Sequence, residues 1–367
     1  MTEEFIMQMR PLFGDEEKKA ISDYMDEDGF ITEFKRTEEF EKMIATYTSS
    51  KHCIVVNNGT ISLTLAAMAA GVKSGDEVIV PNYTMIATPN SVRMFGAKPV
   101  FVDVEKETLC LDINLVKKAI TSKTKAIMLV SSNGRYPKKN IKEFEILCRE
   151  NNIALIEDAA QSLGSFYPDG RHIGTSGIIG SFSFSAPKII STGQGGALIT
   201  NDDAAADRLK KLKDFGRSGG GNDIHHHLGF NFKFTELQAC IGIEQMKKLP
   251  ERVIRKKEIY SNYKERLNDC KQIKLFDHNL KDTAPWFIDC VCEDREKLMI
   301  HLKDKGIGTR IMYPPINKQK IYSSKDFFTN SEEIGHKGLW LPSSVQLTNE
   351  QIKKITNEIV NFYNAKI

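Results

Sequence analysis

From about residue 50 the chain alternates short apolar runs with stretches of helical spacing. Runs at 53–56, 77–80, 99–102, 126–130 and 153–156 are four or five residues long and end near turn formers. Unbroken apolar runs of this length suit strands buried on both faces, as in a parallel sheet. Between them, 62–70 and 141–150 repeat apolar residues with helical spacing. The rhythm predicts an α/β domain with a mostly parallel sheet and helices on both faces. After about residue 235 the pattern changes. A long charged helix is predicted over 236–267, then a strand over 286–291 and helices over 295–305 and 349–363. We read this as a large domain, 1–250, and a smaller C-terminal α+β domain, 251–367, reached through the long helix. The first 40 residues are expected to pack back on the large domain. Gly14-Asp15-Glu16-Glu17 places acidic residues where a helix start favours them.

Composition narrows the function classes. The 51 basic and 48 acidic residues nearly cancel, giving a net charge of +3, and no basic block stands out, which argues against a nucleic-acid partner. No stretch approaches the roughly 18 apolar residues of a membrane span. The acidic start, Met1-Thr2-Glu3-Glu4, leads into no apolar run, so no signal peptide is expected. Seven scattered cysteines fit reduced thiols in a cytoplasmic enzyme, and Cys290 and Cys292 are read as buried thiols. No metal site is expected either, because the adjacent His225-His226-His227 cannot all face one ion in regular structure. The preceding Gly219-Gly220-Gly221 suggests a mobile loop.

Three polar groups fall where a sheet of this kind binds ligands, outside the carboxyl ends of its strands. Asn58-Gly59-Thr60 follows one strand and opens a helix. Asp158 ends another. The segment from Ser181 to Lys188 alternates like a strand and leaves it at the lysine. Taken singly, these are an ordinary helix cap, a turn residue and a solvated charge. In this order they match the needs of pyridoxal phosphate (PLP). Its aldehyde needs a lysine for a Schiff base, and its pyridine nitrogen needs a carboxylate. Its phosphate favours N–H groups at a helix start, and its ring needs an apolar cover. Lys188, Asp158, Gly59 with Thr60 and Ser183, and Met85 supply these in turn.

Over nearly its whole length the chain resembles the DegT/DnrJ/EryC1/StrS family of PLP-dependent sugar aminotransferases. The resemblance rests on Asn58-Gly59-Thr60, on the segment from Pro81 to Thr88, and on Glu157-Asp158-Ala159-Ala160-Gln161-Ser162-Leu163-Gly164. It rests further on Ser181 to Lys188 with Thr192-Gly193-Gln194-Gly195-Gly196, and on Leu341-Pro342 with the stretch from Leu347 to Ile352. The resemblance implies the PLP-dependent transferase fold of type I, like that of aspartate aminotransferase. It implies that Lys188 holds the cofactor and shuttles the proton, that Asp158 pairs with the pyridine nitrogen, and that Gln161 lies near the ring hydroxyl. Thr60 and Ser183 would contact the phosphate. Gly229-Phe230-Asn231-Phe232 resembles a stretch that reaches a neighbouring subunit, which implies a homodimer with shared sites and Asn231 at the partner's cofactor.

Four departures from the family pattern concern the substrate side. Met85 stands where an aromatic residue usually stacks on the ring, and a polarizable sulfur can take that place. Gln194 replaces a glutamate. Ser131-Ser132-Asn133-Gly134-Arg135 replaces a stretch that often carries histidine, and Arg135, at the mouth of the expected site, reads either as a solvated residue of a drifted loop or as an anion grip. Asn317, near Tyr313, stands about where a histidine is common, so Tyr313 and Asn317 are expected to shape the substrate pocket. The family implies transfer of an amino group from L-glutamate to a nucleotide-linked 4-keto-6-deoxy sugar for surface polysaccharide. Arg135 motivates an alternative, amination of a small phosphorylated ketone such as dihydroxyacetone phosphate to serinol phosphate. A PLP-dependent sugar dehydratase would carry histidine in place of Lys188, and a non-catalytic relative would have no use for the Asp158, Ser183 and Lys188 set.

Overall fold

The predicted apolar runs become the interior strands of a seven-stranded sheet. The computed structural model describes residues 5–27, 29–217 and 223–365. The expected loop at Gly219-Gly220-Gly221 lies outside them. Strands β1 (His52–Val56), β2 (Glu77–Pro81), β3 (Lys98–Val102), β4 (Thr124–Val130), β5 (Ala154–Asp158), β6 (Ile179–Ser183) and β7 (Gly196–Thr200) lie in the order β1-β7-β6-β5-β4-β2-β3. Pairings from β6 to β3 are parallel, whereas β7 runs antiparallel to both β6 and β1. One apolar core covers each face. Phe40, Phe144, Phe182 and Phe234 anchor one of them. The Gly59–Ala69 helix, packed with Ala66, Ala67 and Ala69, lies in the other.

That helix begins three residues before the predicted stretch. The Asn58 side chain accepts from Ile61 N–H at 3.0 Å and so caps it. The predicted helix over 236–267 is two helices, Glu236–Lys247 and Leu249–Leu267. Pro250 lies in the first turn of the second, where a missing N–H costs nothing; continued helix would have driven its ring into the carbonyl of residue 246. The expected division at 250/251 thus falls at the start of this helix. Its Leu249 packs with the core of the seven-stranded sheet, and its Ile259, Tyr263 and Leu267 pack under a second sheet.

The second sheet holds β8 (Ile273–Leu275), β9 (Ile288–Cys292), β10 (Arg310–Ile311) and β11 (Gly338–Leu341), in the order β10-β11-β9-β8. Trp286 and Phe287, predicted as the start of a strand, stay outside β9, because their backbone groups bond to Asn133 and Lys256 instead. The N-terminal segment divides between the two sheets. Helices Asp15–Asp26 and Lys35–Thr48 are held against the large core: Glu236 accepts from the N–H groups of Phe34, Arg36 and Thr37, and Gln245 donates to Glu17 at 2.7 Å. Ile6 instead bridges to Ile307 beside the four-stranded sheet. The expectation that the whole segment packs on the large domain is corrected there. Among the described residues, no helix is long and apolar enough to cross a membrane.

Candidate active site

Strand register brings the polar groups together. Val130 pairs with Asp158, and Asp158 pairs with Ser181. Two residues on, Ser183 pairs with Gly196, which on its other side pairs with Val56. The turn after Val56, with Asn58 and Gly59, therefore lies beside Ser183 at one end of the sheet.

This end is a cradle with no room for added atoms. A Cβ on Gly59 would lie 2.8 Å from Ser183 Cβ, and one on Gly196 would lie 2.6 Å from the Asn58 carbonyl oxygen. Gly59 and Thr60 open their helix, so their N–H groups have no intrahelical acceptor. With the Ser183 hydroxyl nearby, they form a donor set suited to a phosphate dianion.

Asp158 is 5% exposed. Thr88 donates to its Oδ2 at 2.8 Å, and the Ala160 N–H donates to its Oδ1 at 3.2 Å. Burial raises its pKa, while Thr88, Ala160 and the positive charge of Lys188 oppose the rise. A cation against this carboxylate would offset its burial, which is what a protonated pyridine nitrogen provides.

Lys188 follows a tight turn, its N–H donating to Ser185 at 3.0 Å. Its Nζ lies 4.0 Å from the ring centroid of Trp286, whose indole N–H donates to the Pro187 carbonyl at 2.7 Å. Burial lowers the amine to about 8, and Asp158 partly offsets this. A useful fraction is therefore unprotonated and nucleophilic near neutral pH. Gln161, Ser183, Lys188 and Trp286 line one cavity. Gln161 accepts from the Asn133 N–H at 2.6 Å, which leaves its amide nitrogen to offer a ligand. Met85 is 43% exposed, an apolar side chain available to cover a ring. A cradle that excludes Cβ atoms, a held carboxylate and a nucleophilic amine fit PLP.

The residues expected on the substrate side do not all gather here. Tyr313 does: its hydroxyl pKa is raised by burial, and it is close enough to Asp158 and Arg310 to feel both charges. Arg135 does not stand at the mouth. Its guanidinium is 4% exposed, bonded to Asp289 at 2.6 and 3.1 Å, to the Thr108 carbonyl at 3.0 Å and to His278 at 3.0 Å. With those directions used, it cannot grip a substrate anion, and the expectation is corrected. Asn317 is likewise 1% exposed, exchanging bonds of 3.0 Å with Asn82 and donating to the Asp326 carbonyl. It ties the 316–318 turn to the end of β2 instead of facing a pocket.

Arg135→Met tests this assignment. It leaves the Asp289 carboxylate buried without its partner, and stability is expected to fall by about 3–5 kcal/mol. A denaturant titration reads the loss. The KM for the keto acceptor should stay within about twofold, because no substrate contact is removed.

Residue reading missed three contributors. Thr88 orients Asp158 and lies in a segment singled out for Met85. Trp286 covers Lys188 but was marked only as the start of a strand. Asn133, left-handed at φ 56°, exchanges two hydrogen bonds with the Phe287 backbone, its side-chain oxygen accepting at 2.6 Å and its nitrogen donating at 2.8 Å. The only local signal was the Asn133-Gly134 pair, which favours positive φ.

Comparison with known proteins shows the family. Residues 11–360 match the DegT/DnrJ/EryC1/StrS aminotransferase family. A GDP-perosamine synthase of Escherichia coli O157:H7 is 34% identical over 366 residues, covering 99% of this chain and 100% of that one. The solved structure of S. venezuelae DesV is 29% identical with a TM-score of 0.90, covering 95% of this chain and 94% of that one. That of the aminotransferase TlmJ from Streptoalloteichus hindustanus is 28% identical with a TM-score of 0.92, covering 98% and 99%. The chain belongs to the DegT/DnrJ/EryC1/StrS family and is a PLP-dependent aminotransferase of fold type I.

Proposed function

We propose that the enzyme moves the amino group of L-glutamate to the keto carbon of a nucleotide-linked 4-keto-6-deoxy sugar, with guanosine diphosphate as the carrier, to supply surface polysaccharide. The full-length likeness to a GDP-perosamine synthase carries this reading. The burial of Arg135 supports it from the other side, because that residue was the reason to consider a small phosphorylated ketone.

When bound, PLP supplies an electron sink for the carbanion left as the α-proton departs. The protein's own residues do the rest. Asp158, held by Thr88 and Ala160, would keep a positive charge on the pyridine nitrogen. Gly59, Thr60 and Ser183 would hold the phosphate. Lys188 would take the α-proton from glutamate and return a proton one atom pair away; an amine near 8 can do both at neutral pH. Asn231 is exposed on a segment fixed to its own chain by the Asn57 N–H to Phe232 carbonyl bond of 3.2 Å. That exposure is consistent with a contact to the cofactor of a second subunit in a homodimer.

The test is a half-reaction. Holoenzyme is treated with glutamate, freed of 2-oxoglutarate and offered keto acceptors singly. Return of the visible absorbance with a GDP-linked 4-keto-6-deoxy sugar is the expected result. Return with dihydroxyacetone phosphate alone would overturn the choice of acceptor, and no release of 2-oxoglutarate would overturn the choice of donor.

A further inference from the structure

Lys256 is a buried lysine that shares a neighbour, Trp286, with Lys188 but lies outside the chemistry derived above. It lies in the Leu249–Leu267 helix and is 1% exposed. Its Nζ donates to two backbone carbonyls, those of Trp286 and Ser343. Among the described residues no carboxylate acts on it: burial alone shifts it, lowering its pKa to about 7. A lone buried amine is costly, and replacing it by an apolar side chain of similar size is often neutral for stability. Its presence therefore calls for a reason in what it holds.

What it holds is Trp286. Every polar group of that residue is engaged: its N–H with the Asn133 carbonyl at 3.4 Å, its carbonyl with Lys256, its indole N–H with Pro187. One ring neighbour, Phe287, stacks on it at 3.8 Å and 18°. The indole lies 4.0 Å from Lys188 Nζ. The Ser343 loop is fixed in the same place, because the Ser343 hydroxyl accepts from Ile288 N–H at 2.8 Å where β9 begins. Lys256 thus joins the segment after β11 to the segment before β9 at the backbone of Trp286.

We propose that Lys256 is a positioning residue: by donating to the Trp286 carbonyl it holds the indole against Lys188 and so sets how readily that amine gives up its proton. A cation over an aromatic face is stabilised, so a loosened indole favours the neutral amine. The other charged group acting on Lys188 is Asp158, and Lys256 exerts no direct effect on it.

Full-length protein stripped of cofactor takes up PLP at a rate that follows the unprotonated fraction of Lys188, read as the growth of visible absorbance against pH. The wild-type midpoint is expected near the Lys188 value of about 8. Lys256→Met should lower the midpoint by roughly half a pH unit, a threefold change in the proton equilibrium. Trp286→Leu should lower it similarly, and adding Lys256→Met to Trp286→Leu should lower it no further, because the path between the two lysines is already cut. A folded Lys256→Met with an unchanged midpoint overturns the proposal, as does an equal further fall in the Trp286→Leu background. Should Lys256→Met fail to fold, Lys256→Gln is read by the same criterion. An unchanged midpoint in Trp286→Leu alone also overturns it.

Discussion

Lys188→Ala is expected to give a folded protein that retains no visible absorbance after dialysis against buffer and shows no measurable transamination. Two losses combine. The covalent tie to the cofactor disappears, and so does the group that moves the α-proton. Loss of an acid–base group alone costs about 10²–10⁴-fold, so a fall to at least the lower end of that range in kcat is required. Far-UV circular dichroism should be unchanged, because Lys188 lies outside the helices and strands and forms no ion pair within salt-bridge distance among the described residues. Absorbance that survives dialysis would mean that another lysine holds PLP.

Asp158→Asn should separate activity from stability. Asparagine keeps the shape of the side chain and a partner for Thr88 but removes the charge against the pyridine nitrogen. Loss of such fixed electrostatic support costs about 10²–10³-fold in kcat. The stripped chain should respond in the opposite sense. Burial raises the Asp158 pKa above its unfolded value, so above both values the ionised form favours the unfolded chain. Removing the charge relieves this, and the unfolding midpoint without cofactor should hold or rise. Activity within tenfold of wild type would detach Asp158 from the pyridine nitrogen. A large fall in the stripped midpoint would show that the carboxylate holds the fold.

The strands and the polar residues of the candidate site could be read from sequence for one physical reason. Both depend on local order: an apolar run makes a buried strand, and the polar residue that ends it lands at the ligand end of the sheet. Asp158, Ser183 and Lys188 are of this kind. Arg135 is not. Its fate is decided by Asp289, far along the chain, and nothing near residue 135 announces a buried partner. Asn317 fails for the same reason, its partner Asn82 standing just after β2, far back along the chain. The reversed direction of β7 was hidden too, because a buried antiparallel strand and a buried parallel one share the same apolar run. The helix break at Lys248 is legible in Pro250, which favours the first turn of a new helix.

The placement of β7 governs when the chain can first receive its cofactor. β1 is an edge strand, joined to the rest of the sheet through β7 alone. The Asn58–Gly59 turn leaves a ribosome long before Gly196 does, yet the strand pairing that sets it beside Ser183 runs from Val56 through Gly196. Such distant pairing is slow to form and comes after the local elements. The cradle is therefore complete only once β7 has been made and has paired with both β1 and β6. PLP can lock the finished sheet, by binding the folded state and not the unfolded one, but it cannot template the early steps of folding.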